Sequence, residues 1–225
     1  LMRFTMSVAL SQASKLSCRS WSLQALETCP GSRKSDGSLV DACTGCYATS
    51  GNYRFKNVIE PRERNRHDWQ RDEWVDDMVQ ALDNDRYFRW FDSGDVYHPA
   101  LAEKIYYVML RTPWCQHWIP GRSYKLAKIK PWLEKMKQLP NVSVRYSSDS
   151  VLGEFTEGFH GSVIIPTADF PTTAFVCDAY KRGGKCGPCR ACWDKTIPTI
   201  AYPGHGRRML ALIKRLLAKR AKKTS

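Results

Sequence analysis

Seven of the nine cysteines in this 225-residue chain fall into two groups: Cys29, Cys43 and Cys46, then Cys177, Cys186, Cys189 and Cys192. Grouped Cys-x-x-Cys steps point to metal ligation or redox chemistry, because thiolate sulfur is a soft anionic donor and thiols in a reducing compartment stay unpaired. The first group, spaced Cys-x13-Cys-x2-Cys, supplies three thiolates. Three protein ligands leave one metal position open to water or substrate, as catalytic sites require; the alternatives are a fourth, distant ligand or a site shared by both groups. The second group, "CDAYKRGGKCGPCRACW", supplies four, and its glycines and Pro188 let backbone wrap a metal. Four thiolates suit a tetrahedral zinc and an iron-sulfur cluster equally. Cys18 and Cys115 stand alone and read as small buried apolar residues.

An open metal needs acid, base or hydrogen-bonding groups beside it. Asp92, Ser93, Gly94 and Asp95 form a polar turn after an apolar stretch, and His98 and His117 carry imidazoles that titrate near neutral pH. Two nearby carboxylates can have their pKa values pushed apart and so divide acid and base roles. Ser93 invites comparison with a strand-to-helix nucleophile elbow, although the Gly-x-Ser-x-Gly pattern is absent. His160 and His205 flank glycines, where each reads most simply as a loop histidine and otherwise as a completing metal ligand.

These residues need elements to hold them. A strand is expected from Tyr87 to Phe91, ending at the polar turn, then a helix opened by Pro99 with Leu101, Ile105, Val108 and Met109 on one face. "WCQHWIPGRS" reads as a strand, and a helix beginning near Pro131 carries Trp132, Leu133, Met136 and Leu139. "NVSVRYSSDS", "SVIIPT" and "AFVC" read as further strands, the last leading into the second cysteine group. Upstream, Asp68 to Asp83 has the period of an amphipathic helix, entered through a solvated, ion-paired run, "EPRERNRHDWQRDEW". Alternation of strand and helix predicts an α/β fold with a parallel sheet, a partial barrel, with functional groups at the C-terminal ends of strands. Trp69, Trp74, Trp90, Trp114, Trp118 and Trp132 are expected to pack mainly in the core.

Taken in order, "TCPG" at Thr28–Gly31, "CTGCYATSGNY" at Cys43–Tyr53, "DSGD" at Asp92–Asp95, "PGRS" and "CGPCRACW" resemble the phage "gene product eighty-eight" family, over roughly Trp21 to His205. That family is similar to radical S-adenosylmethionine enzymes, in which three cysteines hold a 4Fe-4S cluster in a loop beside a barrel. The resemblance implies a cluster on Cys29, Cys43 and Cys46, with Tyr47 as the aromatic beside the third cysteine. It places Ser93, Gly94 and Asp95 where those enzymes bind the methionine amino group, and offers Arg122 to a carboxylate. The first two cysteines of this chain lie thirteen residues apart, against three in those enzymes, and no glycine-rich adenine signature follows.

The expected organisation is one iron-sulfur domain over residues 1–205, with a cluster loop at 28–53 and a second cysteine-rich segment at 177–193, then a basic amphipathic helix and tail at 206–225. The tail holds eight Lys or Arg and no acid, a large part of the formal net charge of +13. Arg207, Arg208, Lys214 and Arg215 would meet nucleic-acid phosphates, or simply face solvent or a membrane surface while Leu212, Ile213 and Leu216 dock inward. No apolar run approaches the length of a membrane span, and the "SVAL" patch is too short for a secretory signal, so a cytoplasmic place, in the host cell for a phage protein, is expected. A first residue of Leu suggests a start at Met2 or Met6, or a trimmed chain. Function is thus read as an iron-sulfur enzyme acting on a small molecule by radical or redox chemistry. The alternatives are ester-type hydrolysis with the cluster iron as Lewis acid, and a metal-stapled nucleic-acid-binding protein.

Overall fold

The computed structural model describes residues 8–12, 14–155 and 160–224; the alternative starts Met2 and Met6 lie outside them. Among the described residues eight strands form one sheet: β1 (Ser11–Gln12), β2 (Arg19–Trp21), β3 (Tyr87–Trp90), β4 (Gln116–Gly121), β5 (Val142–Ser147), β6 (Gly161–Ile165), β7 (Phe175–Val176) and β8 (Thr199–Pro203). Their order is β1-β2-β3-β4-β5-β6-β8-β7, antiparallel only between β1 and β2. The α-helices are α1 (Asp41–Thr44), α2 (Lys56–Asp68), α3 (Trp74–Ala81), α4 (Pro99–Arg111), α5 (Lys130–Gln138) and α6 (Arg207–Thr224). The fold is mixed α/β, and the strand order is that of an open sheet with β1 and β7 at its edges.

From β2 to β6, neighbours in the chain are neighbours in the sheet, so winding proceeds in one direction. Crossovers of one hand then lay α3, α4 and α5 on the same face. There the inward residues of the strands, among them Trp21, Phe88, Trp90, Ile119, Val142 and Val144, pack against Trp74, Met78, Ile105, Met109, Leu133 and Met136. Side chains alternate across a strand. The opposite face therefore receives Arg89, Trp118, Ser143, Arg145 and Ser147, an unusually polar set. Toward the starts of the strands this second face is covered by the late cysteine segment. Trp193 packs on Trp118 with ring centroids 5.3 Å apart, and its indole N–H donates to the Phe88 carbonyl at 2.9 Å. The fully buried Arg145 guanidinium donates to the carbonyls of Ala191, Cys192, Asp194 and Ile197 at 2.7–3.0 Å.

The helix expected from Asp68 to Asp83 is shorter, α3 at Trp74–Ala81, and a separate helix, α2, precedes it. Turns at 69–73 separate α2 from α3, and the polar run upstream is itself helical rather than a solvated entry. Its buried residues are Arg62 and Asn65, and Asn65 donates to the carbonyls of Ala9 and Ser22 at 3.1 and 3.0 Å. Such a helix has a polar inward face and no apolar period to reveal it. Strands β1, β2 and β8 are additional to those expected from the sequence. Trp114, at 39% exposure, departs from the tryptophan expectation, and Trp118 lies on the face away from the helices. The tail helix α6 docks through Met209, Leu212 and Ile213 onto Ala42 and Val151. No helix among the described residues is long and apolar enough to cross a membrane.

Candidate active-site cavity

Above the Trp193 plug, the second face of the sheet opens into a cavity of about 1510 Å³. Its wall includes Cys29, Cys43, Cys46, Tyr47, Asp92, Ser93, Gly94, Asp95 and Arg122, together with Cys177, Cys186 and Cys192. Early and late cysteine groups thus reach one space; Cys189 is outside that wall.

The chain leaves β2, turns through Leu26 at φ +68°, and enters the first cysteine loop. Thr28 holds the turn, its hydroxyl donating to the Gln24 carbonyl at 2.8 Å, and its own carbonyl accepts from the Asp95 N–H at 3.0 Å. At Gly94, with φ +78°, a β-carbon would stand 2.7 Å from both Leu23 Cβ and Thr28 Oγ1, so only glycine lets the two strand-end loops touch. A β-carbon at Gly31 would run into the Arg122 carbonyl. Cys43 lies in α1, and the Ala42 N–H donates to the Asp149 carbonyl at 2.9 Å. Behind Gly45, Met209 of α6 closes the loop, 3.1 Å from where a β-carbon would be.

All nine cysteines are unbridged. Burial raises the Cys29 thiol to about 12, with Asp95, Cys43 and Cys46 adding to the effect, and burial likewise raises Cys43 and Cys46. Cys192 is pushed up to about 11 by burial, and its sulfur lies 3.2 Å from the Tyr202 hydroxyl. Among the described residues no three His, Cys, Asp or Glu side chains converge closely enough to hold a metal ion.

The polar turn follows Phe91, whose φ of +56° is strained for a bulky residue and re-aims the chain at the cavity. Asp92 is buried. Its carboxylate accepts from the Ser22 hydroxyl, from Tyr53 at 3.4 Å and from Arg62 at 3.4 Å, while its carbonyl accepts from Tyr47 at 2.7 Å. Asp95 accepts from the backbone N–H of Val96 at 2.7 Å and of Arg122 at 2.6 Å; burial lifts its carboxyl to about 6 despite these bonds. Gly121 has no room for a side chain because Asp95 Oδ1 lies against it. The Arg122 side chain is turned to Asp149, 3.2 Å away, and to the Ser148 carbonyl.

The remaining candidates lie elsewhere. Ser93 donates to the Leu23 carbonyl at 2.6 Å and has no histidine beside it, so it serves as a tie between loops. His98 caps α4, its Nδ1 accepting from the Ala100 N–H at 3.2 Å. His117 is fully buried on the helix side: Trp90 donates to its Nδ1 at 3.2 Å, and its Nε2 meets the Thr112 hydroxyl at 2.8 Å. Arg207, Arg208, Lys214 and Arg215 are exposed on α6. His205 belongs to the cavity wall and His160 does not. Two wall residues escaped the sequence reading, Arg89 and Arg62; the alternation of Arg89 with Phe88 and Trp90 was the available signal.

The geometry defines a class: an α/β protein whose strand-end loops bring two cysteine groups and a buried acidic turn to one cavity. The chain belongs to the gene product 88 family, whose model matches residues 5–195. No curated protein and no solved structure matches it.

Proposed function

We propose that Cys29, Cys43 and Cys46 hold a 4Fe-4S cluster, and that the protein is an enzyme acting on a small molecule in the adjoining cavity by radical or redox chemistry. The observation that carries this reading is that Cys29, Cys43 and Cys46, the Asp92–Asp95 turn and Arg122 line one cavity of about 1510 Å³. Soft, anionic thiolate sulfur is the donor that such clusters take, so the chemistry of this donor set fits the group. Such a cluster, with one iron free of protein ligands, supplies electron transfer to a bound molecule or Lewis-acid activation of it.

The chain's own residues do the rest. Thr28, Gly31 and Gly94 lock the cysteine loop to the turn, so the thiols and Asp95 keep a constant relation. Asp95 is ionised above about pH 6, and its carboxylate, on the cavity wall, would accept from an ammonium group such as that of S-adenosylmethionine. Tyr47 and Trp118 line the cavity and offer apolar surface to a substrate. The late group, Cys177, Cys186, Cys189 and Cys192, is proposed to take zinc or a second cluster, or to share the first site. A hydrolytic enzyme using the cluster iron as Lewis acid would draw its acid and base from Asp92 and Asp95, since Ser93, His98 and His117 are engaged elsewhere.

Anaerobic purification with iron, acid-labile sulfide and zinc counts tests the reading, followed by electron paramagnetic resonance of the reduced protein with and without S-adenosylmethionine. Cys46→Ala is expected to abolish the iron-sulfur absorption while any metal on the late group stays. Full cluster content in that variant sinks the assignment, and a spectrum indifferent to S-adenosylmethionine moves the reading to hydrolysis.

A further inference from the structure

Two of the arginines that line the cavity, Arg62 and Arg89, share one corner of it with the Asp92 carboxylate. Arg89 projects from β3 away from the helices, and its guanidinium lies over the Trp118 ring, 4.6 Å from the centroid. Arg62, 5% exposed, lies over the Tyr53 ring at 4.7 Å and reaches Asp92 Oδ2 at 3.4 Å, a long contact for an ion pair. The Nε of each is buried without a hydrogen-bond partner among the described residues, and both side chains line the cavity. Tyr53 feels both guanidinium groups, and Asp92 and Tyr47 both act on Arg89, so the two cations share one corner. A buried cation lacking a full counter-charge is strongly unfavourable unless something of opposite sign completes it. A planar guanidinium held flat on an aromatic ring presents its N–H edge as a fork suited to a carboxylate or phosphate.

We propose that this corner is an oxyanion subsite: the substrate carries a carboxylate or phosphate group that Arg89 and Arg62 bind beside Tyr47 and Tyr53. The rest of the molecule then extends toward Cys29, Cys43 and Cys46. The inference takes the cavity from the proposed function and needs nothing from the cluster.

The test is calorimetric titration of the full chain at constant ionic strength, with inorganic phosphate in one arm and benzoate in the other. Saturable binding of at least one is expected, and the arm that responds names the group. Arg89→Met is expected to weaken that binding at least about tenfold, and without ligand to melt no lower than the unaltered protein, since an incompletely compensated charge has gone. Arg89→Lys keeps charge and stem but loses the fork, and also binds at least about tenfold more weakly; this variant decides the matter if the methionine variant does not fold. Arg207→Gln with Arg208→Gln is expected to bind normally, separating the subsite from the basic tail. In Cys46→Ala binding is expected to persist, so the subsite stands or falls apart from the cluster. Binding of neither anion, unaltered affinity in the Arg89→Lys variant, or loss of binding along with the cluster overturns the proposal.

Discussion

Burial sorts residues of one chemical type into different roles. His117 has both ring nitrogens engaged in a chain running from the Trp90 N–H through the imidazole to the Thr112 hydroxyl, which donates to the Val108 carbonyl at 2.7 Å. Accepting from Trp90 at Nδ1 makes Nε2 the protonated nitrogen. Burial holds the ring neutral and lowers its pKa from 6.5 to about 3. A depressed histidine contributes stability that is fully present above its unfolded pKa and is lost as pH falls from 6.5 toward 3, because the unfolded chain binds the proton first. Urea midpoints measured from pH 7 to pH 4 are expected to fall with acid in the unaltered protein. In His117→Asn they are expected to start lower and fall less; equal slopes would remove His117 as the source. Asp95 is shifted the other way, up to about 6, and faces the cavity, which separates a group available for chemistry from one used for packing.

At the scale of elements, the late cysteine segment has little secondary structure of its own, and one side chain on β5 organises it. Arg145 supplies four short charge-assisted bonds to its carbonyls, and Trp193 supplies the apolar anchor. Arg145→Met is expected to cost about 3 kcal/mol or more, since several buried carbonyls lose their donor. Hydrogen exchange should rise across 186–198, and Cys192 should become accessible to alkylation; an unchanged exchange pattern there would show the segment to be held by Trp193 instead. Helices α3, α4 and α5 announce themselves by apolar residues at helical spacing. Helix α2 does not, because its inward contacts are made by Arg62 and Asn65, and β2 is only three residues long. Missing β2 hid the strand that feeds the cysteine loop.

Across the whole molecule, charge and packing divide at α6. Its apolar side completes a small core with Ala42 and Val151 and backs the cysteine loop, while its basic side faces solvent. The helix is therefore part of the site's support as well as a candidate phosphate-binding face. Replacing Arg207, Arg208, Lys214 and Arg215 by Gln is expected to leave the melting temperature nearly unchanged. If the face meets DNA, the slope of log affinity against log salt should shrink by about 0.9 per lost phosphate contact. Identical salt titrations would retire nucleic acid as a partner of this face.

The cysteine spacings, the Asp92–Asp95 turn, four of the helices (α3 to α6) and most of the parallel strands are legible from residue order, because local periodicity and short-range spacing are properties of neighbours in the chain. The family resemblance was legible for the same reason, as a set of short motifs in order. Contacts between distant segments were not. That Cys29 and Cys186 line one cavity, that His117 turns inward while Arg89 turns outward, and that α6 braces the loop around Gly45 depend on which strand lies beside which. Strand order is decided by how apolar faces are buried over the whole chain, and no window of neighbouring residues contains that information.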